Sequence, residues 1–265
     1  RFPLIPLKFP TPGHRRFWRC IDQMNAIVYE FIEQLSQSGD AENRDGLLAM
    51  LMSAQDADTG ERFTDKELRD EVFTMLFAGH ETSATTLTWV WYELARRPEI
   101  AERVRDEAET VLSGRPAAIS DLPQLTYTKQ VINEVLRLYP PSWLNYRLTV
   151  ADDEMGGYVI PAGSQVLLDM LHMHRHPDFW DEPEVFDPDR FTPEKVEARD
   201  RYAHIPFAVG GHQCIGNVFA MVEMQLAVAT LVQRFELKIP ADPVIRPKPL
   251  LTLSTDAPVM ATPVR

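Results

Sequence analysis

The chain has 265 residues, 45% of them hydrophobic and 25% charged, with a formal net charge of −12. That length supplies a sizeable core in one large or two moderate domains. The acidic balance argues against nucleic acid as the main partner, because phosphate neutralisation needs basic surface.

The opening, Arg1 to Pro12, is a proline-rich connector with neither the charged nor the apolar region of a signal peptide, so the chain is expected to begin inside a larger protein. Arg15 to Ser38 has helical spacing and is expected to close at Gly39. A short helix follows at Leu47 to Ser53, then a polar loop from Asp56 to Arg62. Thr64 and Glu67 form a capping box. From there Leu68, Val72, Met75, Leu76, Leu87, Val90, Trp91 and Leu94 recur at helical spacing. The pattern predicts one helix of about 32 residues, roughly 48 Å long. Its interior holds Gly79 and a run of threonines, all poor helix formers.

Pro98 opens a helix that reaches Leu112 and ends at Gly114. Another spans Tyr127 to Tyr139 and stops at Pro140-Pro141. The pattern then changes. Trp143 to Val166 is β-branched and aromatic, with turns at Gly156-Gly157 and Ala162-Gly163, and predicts strands. Pro177 to Pro193 reads as an irregular acidic loop. Ile215 to Phe235 reads as a long apolar helix, and Glu236 to Arg265 as strands and turns. No window supplies the roughly 20 uninterrupted apolar residues of a membrane span. The most apolar one carries Asn217, Glu223, Gln225 and Gln233. Two cysteines, Cys20 and Cys214, are too few for a disulfide scaffold and point to a reducing, cytoplasmic compartment. An anchor upstream of Arg1 or one Cys20–Cys214 bridge stays open. Cys20 alone reads as a small buried hydrophobe or a surface thiol.

Cys214 lies in Phe207-Ala208-Val209-Gly210-Gly211-His212-Gln213-Cys214-Ile215-Gly216, just before the last long helix. Glycines let the backbone approach a flat ligand. The unpaired N–H groups and dipole of a helix start stabilise an anion there, and a thiolate is a metal ligand. Glu134 and Arg137, at i and i+3, share a helix face. They read either as an ordinary exposed pair or, with Arg190, as a buried clamp. Gly79 either lets another helix pack closely or leaves room for a ligand beside Glu81 and Thr82, an acid and a hydroxyl able to relay protons. His80 reads as a packing or exposed residue. His172, His174 and His176 alternate as on one strand face, but lack further ligand-type spacing for a metal cluster.

Four motifs therefore follow in order: Ala78-Gly79-x-Glu81-Thr82, Glu134-x-x-Arg137, Pro188-Asp189-Arg190-Phe191, and the cysteine run from Phe207 to Gly216. Together they resemble the cytochrome P-450 superfamily, and the likeness extends from about Pro10 to the end. The chain resembles the carboxy-terminal part of a bacterial-type soluble member. The resemblance implies a mainly α fold with a smaller β portion, built on the long central helix, the Glu-x-x-Arg helix and the cysteine-ligand loop. It implies a single incomplete haem domain over 1–265, with 1–140 mainly helical and 141–265 holding strands, the cysteine loop, the final long helix and the β tail.

On this resemblance Cys214 would ligate the iron of haem b (iron protoporphyrin IX), Phe207 would pack beside the sulfur, and Gly210 and Gly216 would shape the loop. His212 stands where the family usually has an arginine that contacts a haem propionate, and Arg147 resembles a second propionate partner. Gly79, Glu81 and Thr82 would lie over the distal face, with Thr82 and Glu81 catalytic. Glu134, Arg137 and Arg190 would form a structural clamp. The implied reaction is O2-dependent insertion of one oxygen atom into a hydrophobic substrate, with a ferredoxin, flavodoxin or reductase as electron donor. Phe77, Ala78, Ser142, Trp143, Leu144, Leu250 and Leu251 are small or largely apolar and suit such a substrate. A haem sensor or carrier without monooxygenase activity, and a non-catalytic fragment, remain the rival readings.

Overall fold

The computed structural model describes residues 9–37, 46–240 and 244–264. The expected helix end at Ser38 and Gly39 lies outside them. The chain falls into two compact units, Arg1–Gly79 and His80–Arg265.

In the first unit α1 spans Pro12–Gln37, three residues earlier than its apolar spacing predicts. The local chemistry explains the difference. Thr11 Oγ1 accepts from His14 N at 3.2 Å, as an N-cap does. Pro12, with its fixed φ and no N–H to satisfy, suits the first helical position. α2 covers Leu47–Ser53, and α3 runs as one helix from Asp65 to Arg96, 32 residues. The capping box at its start is reciprocal. Glu67 N donates to Thr64 Oγ1 at 3.3 Å, and Thr64 N donates to Glu67 Oε2 at 2.9 Å. Val28 and Ile32 of α1 pack with Leu68 of α3, flanked by Leu48, Leu51 and Val72. Cys20 is an exposed free thiol.

The second unit continues α3 and adds α4 (Pro98–Leu112) and α5 (Thr126–Leu138). Then come β1 (Leu144–Leu148), β2 (Asp153–Met155), β3 (Tyr158–Ile160), β4 (Gln165–Asp169) and the short α6 (Met170–Met173). After these stand α7 (Pro193–Ala198), α8 (Asn217–Val232) and β5 (Glu236–Lys238), β6 (Pro247–Pro249), β7 (Leu253–Thr255) and β8 (Thr262–Val264). The strands pair antiparallel as β1–β4, β2–β3, β5–β8 and β6–β7. Positive φ at both Gly156 and Gly157 turns the chain tightly between β2 and β3.

The core lies where the apolar faces of α3, α4, α5 and α8 meet, with Trp89, Val104, Leu112, Val131, Ile132, Val135 and Val228 all buried. Trp89 stacks on Tyr139 with ring centroids 4.0 Å apart. Beneath Tyr139, the buried Glu93 accepts from its hydroxyl and pairs with Arg97. α5 is capped from a distance. The Glu107 carboxylate of α4 accepts from Tyr127 N at 2.6 Å and Thr128 N at 2.8 Å.

The alternating histidines do not lie on a strand. The Asp169 carboxylate accepts from His172 N at 3.1 Å, ending β4 and starting a helical turn. His172 and His176 then sit beside Asp169 and Asp178, while His174 points into the interior. Among the described residues no cluster of His, Cys, Asp and Glu is arranged to hold a metal ion. Nor is any helix there long and apolar enough to cross a membrane.

His174 Nε2 accepts from Ile205 N at 3.0 Å, so the neutral ring carries its proton on Nδ1. Burial lowers its pKa to about 4, and the neighbouring His204 is pushed well down by burial and by His174. Above pH 6.5, the ordinary histidine value, the folded and unfolded chains both hold His174 neutral. Below that value the unfolded chain binds a proton that the folded chain refuses until about pH 4. Stability measured by urea unfolding should therefore fall as the pH drops through this window. His174→Gln, which keeps an acceptor for Ile205 N, should flatten that part of the profile.

Candidate functional site

The cysteine loop is closed by its own backbone. Cys214 N donates to Phe207 O at 2.9 Å, and Gln213 N donates to Gly210 O at 3.1 Å. The reversal needs left-handed φ at Gly210 (70°) and, unusually for a residue with a Cβ, at Ala208 (55°). Phe207 packs against the core of its unit and so anchors the loop. α8 begins at Asn217, two residues later than the hydropathy predicts, because Gly216 serves as its N-cap. Cys214 is a free, exposed thiol just before that helix start. A Cβ on Gly216 would sit 3.9 Å from Sγ, while one on Gly210 or Gly211 would meet nothing within 4 Å.

Apolar side chains in the same loop and the first turn of α8 face outward, with Ile215 at 88% and Phe219 at 72% exposure, alongside Val209 and Val218. Exposed apolar side chains grouped in one loop and the helix turn after it have the chemistry of a binding surface. An exposed thiol, outward-facing apolar side chains and unfilled space at two glycines fit a flat apolar ring carrying a metal at its centre. His212 lies in the 3-10 turn Gly210–His212 and is exposed. Arg147 lies on β1, its guanidinium donating to Tyr146 O at 2.9 Å.

Glu134 and Arg137 are both fully buried. Arg137 Nε and Nη2 donate to the two Glu134 carboxylate oxygens at 2.7 and 2.8 Å. The guanidinium also donates to His174 O, Pro183 O and Val185 O at 3.0, 2.7 and 3.1 Å. Asp187 N donates to Glu134 Oε1 at 2.8 Å, and Arg190 Nε stands 3.7 Å from the same oxygen. Removal from water pushes the Glu134 carboxyl up in pKa, against Arg137, the Asp187 amide and the Arg190 charge, which pull it down. The exposed-pair alternative is thus excluded by burial.

On α3, a Cβ built on Gly79 would meet nothing beyond its own helix within 4 Å among the described residues. His80 is exposed. Glu81 Oε1 accepts from Thr252 Oγ1 at 2.8 Å. Thr82, half-buried, stands next to it and accepts at its backbone oxygen from Thr86 Oγ1 at 2.9 Å. Trp143 Nε1 donates to Leu250 O at 2.9 Å, while Leu250 and Leu251 expose their side chains. The structure thus gathers Glu134, Arg137 and Arg190 into one cluster, closes Phe207 and Cys214 into one loop, and ties Glu81 to the carboxy-terminal β portion.

A family model of cytochrome P-450 matches residues 1–260. The chain belongs to the cytochrome P-450 family. It is 42% identical over 231 residues to cyclooctat-9-en-7-ol 5-monooxygenase of Streptomyces melanosporofaciens, covering 87% of this chain and 50% of that protein. It is 37% identical to pentalenene oxygenase of Streptomyces avermitilis, covering 93% of this chain and 54% of that protein. The solved haem domain of cytochrome P-450DA superposes with a TM-score of 0.85 at 32% identity, over 94% of this chain and 56% of that one. This P-450 chain spans about half the length of the curated relatives it matches. The mainly helical fold with small sheets is that of a partial P-450 fold, and the family's cofactor is haem.

Sequence reasoning missed several partners. Thr252 is one, because nothing in a β-tail threonine announces a contact 171 residues away. Asp189 is another, held by both terminal nitrogens of Arg103 at 2.8 and 2.9 Å. His204 is a third, with no signal in the sequence, while His174 stands out only as one of an alternating set. Glu134 and Arg137 give the sharpest test of the geometry. Arg137→Met should cost about 3–5 kcal/mol by leaving a buried carboxylate unpaired. The double replacement Glu134→Leu with Arg137→Met should recover only the part owed to the unpaired carboxylate in urea unfolding, because the oxygens of His174, Pro183 and Val185 still lack their donor.

Proposed function

We propose that this chain is the carboxy-terminal part of a haem-thiolate monooxygenase, an incomplete haem domain over residues 1–265. The whole protein would insert one oxygen atom from O2 into a hydrophobic organic substrate. The observation that carries this reading is the exposed free thiol of Cys214, in a loop closed on Phe207 and flanked by outward-facing apolar side chains. The relatives support it, since two of them are a monooxygenase of cyclooctat-9-en-7-ol and a pentalenene oxygenase.

Cys214 is the proposed iron ligand, with Phe207 beside the sulfur and Gly210 and Gly216 keeping the loop clear of the ring. His212 and Arg147 are proposed to bind the propionates, the first as a histidine where an arginine is usual. Haem held by a thiolate supplies the O2 activation, because the sulfur pushes electron density towards the iron and favours O–O cleavage. The protein's own contribution is orientation and proton control. Thr82 Oγ1 and the Glu81 carboxylate form an alcohol–acid pair able to hold and hand on protons, and Gly79 leaves space on the same stretch of α3. Glu134, Arg137 and Arg190 hold the fold and take no part in the chemistry. Ser142, Trp143, Leu144, Leu250 and Leu251 offer the substrate small and largely apolar surface. The electrons come from a separate ferredoxin, flavodoxin or reductase, and a cytoplasmic location suits such a partner.

The reduced, haem-loaded protein should give a thiolate-type band in a carbon monoxide difference spectrum. Cys214→Ser should abolish it, and a band that survives the replacement would exclude this ligand. Thr82→Ala should keep haem yet divert electrons from product to hydrogen peroxide. Undiminished product per electron in that variant would remove Thr82 from the proton path.

A further inference from the structure

We infer that Ser254 and Thr252 form a two-hydroxyl proton wire that feeds the Glu81 carboxylate from the carboxy-terminal β portion. The inference rests on the monooxygenase reading above and adds to it the source of the protons. Its basis is one contact and its polarity. Thr252 Oγ1 lies 2.8 Å from Glu81 Oε1 and 3.1 Å from Ser254 Oγ. A carboxylate only accepts, and a threonine hydroxyl has one proton to give. With that proton committed to Glu81, Ser254 must be the donor of the second bond. All the hydrogens therefore point the same way, from Ser254 through Thr252 to Glu81.

The burial gradient matches this direction. Ser254 is half-exposed and can exchange with water, whereas Thr252 is only 6% exposed. The backbone on either side is pinned, which makes this a built position and not a passing surface contact. Leu253 N donates to Pro141 O at 3.1 Å, Trp89 Nε1 on α3 donates to Leu253 O at 3.2 Å, and Leu250 N donates to Thr252 O at 3.1 Å. Leu250 and Leu251, just before Thr252, are exposed apolar residues, so a substrate resting on them would press on the wire's own turn.

Each transfer balances. The Glu81 carboxylate takes the Thr252 Oγ1 proton at Oε1 and then hands a proton on from its other oxygen, which returns it to the carboxylate. Ser254 Oγ passes its own to Thr252 Oγ1, and water restores Ser254. No electron or further reactant is needed. Thr252 and Ser254 are thus positioning residues that act through Glu81.

The test compares Thr252→Val, Thr252→Ser, Ser254→Ala and Glu81→Gln in the haem-loaded full chain with its electron donor and a turned-over substrate. Three quantities are read: product per electron, the solvent deuterium isotope effect on turnover, and the Glu81 carboxylate stretch by infrared difference against Glu81→Gln. The infrared readout does not depend on activity. Thr252→Val should shift that stretch, raise the isotope effect and lower product per electron, with turnover down by about a hundredfold, the lower end of what general acid–base help is worth. Thr252→Ser should restore all three. Ser254→Ala should leave the stretch near its original place and still raise the isotope effect. If Thr252→Val does not fold, Ser254→Ala carries the test. A shifted stretch with unchanged product per electron and isotope effect in both Thr252→Val and Ser254→Ala would overturn the wire while leaving Glu81 as the acid. A Glu81→Gln variant with unchanged product per electron and isotope effect would overturn wire and acid together, without touching the Cys214 assignment, which the carbon monoxide band tests separately.

Discussion

A carboxylate and a guanidinium sealed from water must satisfy each other and every remaining donor, or the fold cannot hold them. Glu134 and Arg137 meet that demand by collecting backbone from far along the chain: the oxygens of residues 174, 183 and 185, and the amide of residue 187. An irregular segment without sheet pairing thereby acquires a fixed path. Trp180, buried beside it, lies under the guanidinium planes of both Arg137 and Arg199. The cost of leaving either charge unpaired makes the arrangement all-or-none.

From that clamp a short series of bonds leads to the cysteine loop. Arg137 holds the backbone of His174, His174 accepts from Ile205 N, and Phe207, two residues on, closes the loop through its bond from Cys214 N. The interior is dry and charged at one end of this series. At the other end the sulfur and its apolar neighbours stand in the open. Such a contrast is what a scaffold needs if it is to present the proposed ligand atom, the Cys214 sulfur, on a loop without letting the loop choose its own shape.

α3 serves a second, separate need. Its residues from His80 onward supply the buried Trp89 and Val90 to the core, and the same stretch carries Glu81, Thr82, Ser83 and Thr86, which a purely structural helix has little reason to hold. Trp89 bonds to the backbone oxygen of the first residue of β7, and Glu81 to the hydroxyl of the residue before it. The far end of the chain is thus tied to the helix at two levels, and the polar residues of α3 are placed by those ties.

What the sequence alone determined is whatever short-range chemistry controls. Helix lengths followed from apolar spacing, the start of α3 from Thr64 and Glu67, the stops from Pro140-Pro141 and Gly114, and the family from four ordered motifs. Errors at helix ends arose where a cap overrode hydropathy, as at Thr11-Pro12 and Gly216. Only the tertiary structure decided whether Glu134 and Arg137 were a surface pair or a sealed clamp, which of three alternating histidines went inside, and which residue would hold Glu81. Each of those is settled by burial and by partners from 31 to 171 residues distant. The energy of such a contact depends on the water removed around it, and no local window of residues records that.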